Sequence, residues 1–413
     1  MRVLFLIWNY WPGVEGGSER QAKLVAAELA RQGHTCLIWT ALLDSNLPRK
    51  ESKDDTTVIR FGRWVPWQSR VRNLLGRFHE FVQGHLKKFP EIDKHYIPLR
   101  SHFDFWILMP VIYITRWSFM REIRNEFKGI VLLPDIIHLH EPSWLGGFAV
   151  QLAKAGKIPV ICQEATNPAL PVLGYDVPCR NQIEKYRRNA HFIAMAPYLE
   201  ADLSAKGVPN EQIHILPNGV KIPARKDIHK ESPIVLYVGN FSQGAHWKAF
   251  DILFDAWKII HEQQIGLRLV VLGGGDLVTW KKYVEKLGCA STVEFIGRVT
   301  NPEEYYQKAA IFILPSRVEG MSNALLEAQS WGIPCVVSDI PGNTSIIEDG
   351  INGLVVPVND YRSLAASVIK LYEDPALRQQ IGVAARQRMK EQHDLGIIMK
   401  QLLEIYQVCL RES

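Results

Sequence analysis

Short apolar runs alternate with amphipathic stretches along nearly the whole chain. "RVLFLIW" near the start reads as a buried strand, and "SERQAKLVAAELARQG" follows with apolar residues at helical spacing. Ser18 is expected to cap that helix and Gly33 to stop it. "CLIWTA", "DIIHLH", "IPVICQE", "HFIAMA" and "IHILPNG" supply further strands. Continuous apolar runs of this length between helices are what a parallel sheet covered on both faces requires. A polar seam, "IPARKDIHKES" at 222–232, then precedes a fresh start of the same alternation. "PIVLYVGN", "LRLVVLGGG", "VEFIGR", "IFILPS", "PCVVSD" and "GLVVPV" are the strands of this second half. The pattern predicts an α/β protein with two Rossmann-like domains, 1–225 and 226–394. A last helix, within 395–413, is expected to return to the first domain.

Residues 60–130 break the rhythm. They contain "RWVPWQSRVRNLLGRFHEFVQGHLKKF" and "FWILMPVIYITRW", with thirteen Lys or Arg against six Asp or Glu. That local surplus of +7 exceeds the +5 of the whole chain. One reading is a solvated helical cover on the first domain. The other is a membrane-surface patch, since basic residues interleaved with Leu, Phe and Trp are the pattern of interfacial helices.

Composition narrows the function. The 413 residues, 47% hydrophobic and 22% charged, have the balance of a globular protein of two or three domains. A charge of +5 over this length, without a zinc-finger or RNA-binding pattern, argues against nucleic acid as a partner. Six scattered cysteines form no C-x-x-C, so neither a disulfide framework nor a zinc site is expected, and a reducing, cytoplasmic setting fits. The start lacks the pattern of a signal peptide. The longest apolar run, Phe105 to Thr115, is short of the ~20 residues a spanning helix needs.

The chemistry concentrates in "PSRVEGMSNALLEA", Pro315 to Ala328. Glu319 and Glu327 stand eight positions apart, about 12 Å along a helix. Carboxylates that attack one glycosidic bond lie within ~5–9.5 Å of each other. The wider spacing suits an elongated ligand with hydroxyls at both ends and a diphosphate between them. Gly320, Met321 and Ser322 lie where backbone N–H groups of a helix start can face an anion. On spacing alone, a first-turn charge and a solvated helix glutamate explain the pair better.

The wider stretch decides between these. Proline-serine, Glu319-Gly320, Glu327-Ala328, "GIPCVV", and then "DGING" follow in order over about 45 residues. This resembles the retaining glycosyltransferases of family 4, which have the GT-B fold. "GGSER" (Gly16, Gly17 and the following residues), "DIIHLH" and "PNGV" (Pro217–Val220) match other segments of that family. The resemblance implies transfer of a sugar from a UDP or GDP donor to a glycan hydroxyl, with a lipid-linked acceptor frequent in the family. It implies that Glu319 and the amides of Gly320 to Ser322 hold the sugar, Glu327 the ribose, and Lys248 the diphosphate. It places His140 against the donor sugar and gives His138 a structural part. Gly16 and Gly17 let backbone approach the donor. No cofactor is implied, and no D-x-D at a strand end calls for a metal.

One position departs from the family. Asn240 stands where the pattern has arginine, and Ala249 replaces a glycine after Lys248. An amide donates a hydrogen bond without charge, so either Arg298, Arg317 or His246 compensates at the leaving diphosphate or the donor makes different demands. "VVLGGGD" looks like a phosphate loop, although in this family the segment is mainly structural. A nucleotide-sugar epimerase of the same fold, and a member that binds without catalysis, are the rival readings.

Overall fold

The computed structural model describes residues 1–10, 16–53, 55–68, 70, 71, 74, 75, 78, 90–140, 144–164, 186–224, 233–241 and 246–412. Arg72, Arg77, Lys87 and Lys88 of the basic segment, most of the seam and the loop 242–245 lie outside these residues. So do the side chains of Lys94 and Arg100.

Fourteen strands are described: β1 (Arg2–Leu6), β2 (Thr35–Ala41), β3 (Lys50–Lys53), β4 (Thr56–Phe61), β5 (Ile136–His140), β6 (Val160–Glu164), β7 (His191–Ala194), β8 (Ile213–Ile215), β9 (Ile234–Val238), β10 (Arg268–Leu272), β11 (Val293–Gly297), β12 (Ile311–Leu314), β13 (Cys335–Ser338) and β14 (Leu354–Val356). They form an eight-stranded sheet, β3-β4-β2-β1-β5-β6-β7-β8, and a six-stranded sheet, β11-β10-β9-β12-β13-β14. Each strand pairing described is parallel except that of β3 with β4. The antiparallel edge strand is short and carries Lys50 and Glu51, charges that discourage edge-to-edge pairing. The chain divides into two compact units. One comprises Met1–Gln163, Leu173–His191 and Val408–Ser413, the other Glu164–Val172 and Phe192–Gln407.

The apolar runs are buried as parallel strands demand. Val3, Leu4, Phe5 and Leu6 of β1 and Ile311, Phe312, Ile313 and Leu314 of β12 are at most 1% exposed. In the six-stranded sheet, chain order leaves the middle in opposite directions from β9 and β12. Loops at the carboxyl ends of those two strands therefore diverge and leave a crevice, the usual ligand position in open α/β sheets. β1 and β5 have the same relation in the eight-stranded sheet.

Two local expectations change. The first helix runs Gly17–Arg31 with Gly16 as its cap, two positions ahead of Ser18. The Gly16 N–H donates to Glu19 Oε2 at 2.8 Å, so the glutamate closes the first turn instead of a serine hydroxyl. Gly33, at φ +85, stops the helix as its sequence position indicates. In the irregular segment, Pro90–Gly129 is a single 40-residue helix. Its inner face is fixed by Phe119 and Ile123, both fully buried, while Trp106, Tyr113 and Trp117 are exposed.

Candidate functional site

The loop that follows β12 is tied down at both ends. Ser316, fully buried, accepts from the Ser338 hydroxyl through its carbonyl oxygen. Ser322 caps the helix Asn323–Ser330, its Oγ accepting from Leu325 N at 3.4 Å. Between them the Glu319 carboxylate is 11% exposed and bonded by two groups through one oxygen. Lys248 Nζ lies 2.7 Å from Oε1, and Ser316 Oγ donates to the same atom at 2.7 Å. Oε2 has no partner among the described residues, so it is the oxygen left for a ligand hydroxyl. Lys248 comes from the short turn His246–Lys248, in the connection after β9. The Lys248–Glu319 pair thus joins the loops that diverge at the middle of the second sheet. An ammonium has three N–H groups, and the carboxylate takes one.

The backbone beneath the pair is packed without slack. A Cβ on Gly342 would stand 2.3 Å from the Glu319 carbonyl oxygen and 2.4 Å from that of Gly320. Only glycine lets the turn after β13 come this close. Asn343 Nδ2, fully buried, donates to the Ser338 carbonyl at 3.0 Å and holds that turn. Tyr198 OH donates to the Gly320 carbonyl at 2.7 Å from the other side. Burial, and then the Glu319 charge, pushes that hydroxyl up to about 12, so it remains a donor. Met321 is buried against the "PNGV" turn, with Asn218 N 3.3 Å from its sulfur, and Asn218 Nδ2 donates to Asn323 Oδ1 at 2.9 Å. Glu327, one helical face further on, accepts from Tyr306 OH at 2.8 Å. The "DGING" stretch is structural: Asn352 is buried and bonded to Gln329, Glu348 and Ile346.

The three candidate substitutes for the missing arginine fare differently. Arg317 makes a two-pronged contact with Asp251, at 3.0 and 2.6 Å, and also donates to the His246 carbonyl at 2.7 Å and to Asn359 at 2.6 Å. Burial alone would raise the Asp251 carboxyl, but the Arg317 guanidinium together with the backbone N–H groups of Ile252 and Asp251 holds it below its ordinary range. Arg317 therefore braces the loop and is not a spare cation. His246 is exposed. Arg298 is exposed too, with its side chain against Gly274 and no ion pair among the described residues. Gly274 accepts from Phe241 N at 2.7 Å, next to Asn240, so Arg298 stands beside the loop that lacks the arginine. The glycines of "VVLGGGD" serve this stitching. A Cβ on Gly273 would fall 1.8 Å from the Gly239 carbonyl oxygen, and one on Gly275 would fall 2.2 Å from that of Phe241.

In the other unit, His138 and His140 share a face of β5 and stack at 4.7 Å between ring centres. Both are at most 2% exposed. Burial pushes the His140 imidazole down to about 3, so it is neutral near pH 7. Its Nε2 is buried and has no hydrogen-bond partner among the described residues. β5 is one of the two diverging strands, and His140 is its last residue. Gly16 and Gly17 start the helix after β1, the other diverging strand; a Cβ on Gly16 would press on the Glu19 carboxylate at 2.5 Å. Tyr198 and Asp251 went unnoticed in the sequence. No local pattern marks them, because each acts on a partner distant in the chain. Ser316 stands in the proline-serine of the motif, but its hold on Glu319 shows only in the structure.

Comparison with known proteins places this arrangement. The family described as Glycosyltransferase Family 4 matches residues 15–222, and that described as Glycosyl transferases group 1 matches residues 220–388. The capsular polysaccharide biosynthesis glycosyltransferase CapM of Staphylococcus aureus is 26% identical over 51% of this chain and 55% of its own. An Escherichia coli enzyme named UDP-Gal:alpha-D-GlcNAc-diphosphoundecaprenol alpha-1,3-galactosyltransferase is 29% identical over 40% of this chain and 46% of its own. The chain thus spans about half the length of these two relatives, while others match nearly end to end. The solved structure of Anabaena HepE with UDP-glucose has a TM-score of 0.70 at 15% identity, covering 99% of this chain and 100% of that one. The two-sheet architecture is the GT-B fold.

Proposed function

The chain belongs to glycosyltransferase family 4, and on that premise we propose that it moves a hexosyl group, with retention, from a UDP or GDP sugar to a hydroxyl of a glycan. The observation that carries this is the Lys248–Glu319 pair at the divergence of β9 and β12. A cation and a carboxylate at that crevice suit a ligand that is anionic in one part and rich in hydroxyls in the next. In this reading the free Oε2 of Glu319 accepts from sugar hydroxyls. The amides of Gly320, Met321 and Ser322 face the sugar and diphosphate, and Glu327 takes the ribose. Lys248 meets the charge that grows on the leaving diphosphate, and Arg298 supplies the second cation where Asn240 cannot. The leaving phosphate helps to take the proton of the attacking hydroxyl, so no residue is needed as a covalent nucleophile. The role of His140, facing the sugar as a neutral imidazole, rests on its place in the family pattern. HepE, with UDP-glucose bound, is a neighbour in fold, and CapM by its name serves polysaccharide synthesis.

A thermal-shift series tests the donor. UDP or GDP at about 100 times its dissociation constant should add about 2.7 kcal/mol of stability, and NAD or ATP should add far less. Indifference to all nucleotides at millimolar concentration would remove the donor site. Product analysis with donor alone separates transfer from epimerisation.

The acceptor in this reading is lipid-linked, and the protein docks on an anionic membrane surface from the cytoplasmic side. No helix among the described residues is long and apolar enough to cross a membrane. The long helix presents Trp106, Tyr113 and Trp117 at positions i, i+7 and i+11, on one face and 48 to 74% exposed. Arg121 lies over the Trp117 ring at 5.2 Å. Trp64 and Trp67 are exposed as well. Aromatic rings flanked by arginine suit the headgroup level, and each basic residue near an anionic surface adds about 1 kcal/mol. Liposome flotation should show binding to anionic vesicles that weakens as salt rises past physiological strength. Trp106→Ser with Trp117→Ser should lose flotation and keep the UDP-induced stabilisation. A native protein that stays unbound at low salt would leave the helix as a solvated cover and favour a soluble acceptor.

A further inference from the structure

A cavity of about 670 Å³ opens in the first unit, at the carboxyl end of β4, against the last third of the long helix. Its lining brings together Arg49, Lys50, Arg60 and Arg63 with Glu122 and Glu126. Nothing in the donor chemistry uses these residues.

The pocket is braced from within. Glu122 accepts from Arg49 Nη1 at 2.9 Å, from the backbone N–H groups of Gly62 and Arg63 at 3.0 and 3.1 Å, and from Ser118 Oγ at 3.2 Å. Burial alone would raise its carboxyl; these donors together hold it below the ordinary range, so it stays ionised. Arg60 is 1% exposed, donates to the Pro48 carbonyl at 2.8 Å and pairs with Glu51. Two of the four cations are therefore neutralised by the fold itself. Lys50 and Arg63 are exposed and form no ion pair among the described residues. Glu122 fixes the backbone of Arg63, and the β3–β4 ladder fixes that of Lys50. Both charges are thus mounted on rigid supports, which lowers the entropy lost when they close on a ligand. Glu126, exposed one helical turn beyond Glu122, is the lining carboxylate that has no ion pair among the described residues.

We infer that this pocket binds a phosphate-bearing group, held by the guanidinium fork of Arg63 and the ammonium of Lys50. Arginine matches a phosphate with paired parallel hydrogen bonds, and lysine adds a point charge. The group is either a lipid phosphate or a phosphate on a soluble molecule; the recognition chemistry is the same for both. The inference stands apart from the donor reading, because its residues lie in the other unit.

Calorimetric titration with inorganic pyrophosphate tests it. The Lys248→Gln variant serves as background, so that the proposed donor site does not dominate the signal. Saturable binding should persist there, fall at least tenfold on adding Lys50→Gln and Arg63→Gln, and tighten on adding Glu126→Gln. Both substituted cations are exposed, so the fold should hold, and UDP should still stabilise the Lys50→Gln/Arg63→Gln protein. Vesicles containing phosphatidic acid or phosphatidylglycerol then separate the sources. A lipid phosphate predicts that the double variant loses any preference for phosphatidic acid; a soluble ligand predicts loss of pyrophosphate binding with vesicle binding unchanged. If pyrophosphate binding vanishes with Lys248→Gln alone, or survives unchanged when Lys50 and Arg63 are replaced, the pocket is not a phosphate site. Failure of the donor reading would show separately, as indifference to UDP in the native protein.

Discussion

Glu319→Gln should cost turnover far more than nucleotide affinity. The amide keeps the size and one acceptor of the carboxylate, so the loop after β12 should keep its course. What disappears is the charge opposite Lys248, 2.7 Å away, and the anionic acceptor at Oε2. A hydrogen bond to a charged group contributes about 1.5–3 kcal/mol, which corresponds to a loss of roughly ten- to a hundredfold in kcat/KM. The freed Lys248 ammonium can still meet a diphosphate, so UDP should bind about as well as before. Glu327→Gln should give the opposite split. Its carboxylate sits on the helix beyond the sugar-side loop and already accepts from Tyr306. Losing the charge there should weaken UDP binding and leave the rate at saturating donor nearly intact. Measuring kcat with saturating donor and the dissociation constant of UDP for both variants decides the matter. Two variants with native values on both scales would refute the assignment of the carboxylates.

The sequence carried more of the second unit than of the first, and the reason is physical. Parallel strands covered on both faces must be apolar throughout, so β9 to β14 stand out as uninterrupted runs such as Ile311–Leu314. The loop after β12 was legible because its residues meet local demands in a fixed order: a buried serine, a charged turn, a capping Ser322. The helix Pro90–Gly129 was not legible in the same way. Pro98 and Pro110 lie inside it, and proline normally ends a helical pattern. Its outward side also carries Trp106, Tyr113 and Trp117, so polar residues do not mark the exposed face. The fate of Arg317 could not be read either. Its partner Asp251 lies 66 positions away, and only the fold shows that the guanidinium is occupied. Gly16 took the cap from Ser18 because a buried glutamate reaches back to its N–H, one half of a capping box whose other half a glycine cannot supply and which sequence reading therefore assigns to serine first.

Gly342→Ala should damage activity although residue 342 need not touch the substrate. The added methyl would stand 2.3 and 2.4 Å from two carbonyl oxygens, those of Glu319 and Gly320, and backbone cannot swing aside as a side chain can. The turn after β13 is held by Asn343 on Ser338, and the Glu319–Gly320 backbone by Tyr198 on its other side. Relief must therefore come from a shift of the loop that carries Glu319. Overpacking of this kind costs about 1–3 kcal/mol of stability. A displacement near 1 Å at a positioning loop can cost about a hundredfold in rate. Gly350→Ala provides the contrast. That glycine also lies in the second unit, at φ +73, but a Cβ there meets nothing within 4 Å. It should lose about 1–2 kcal/mol through backbone strain and keep its turnover. Comparing kcat for the two variants at a temperature where both are folded separates loop displacement from general destabilisation. Native turnover in Gly342→Ala would mean that the Glu319 loop tolerates movement, and that its close packing has no part in holding the site.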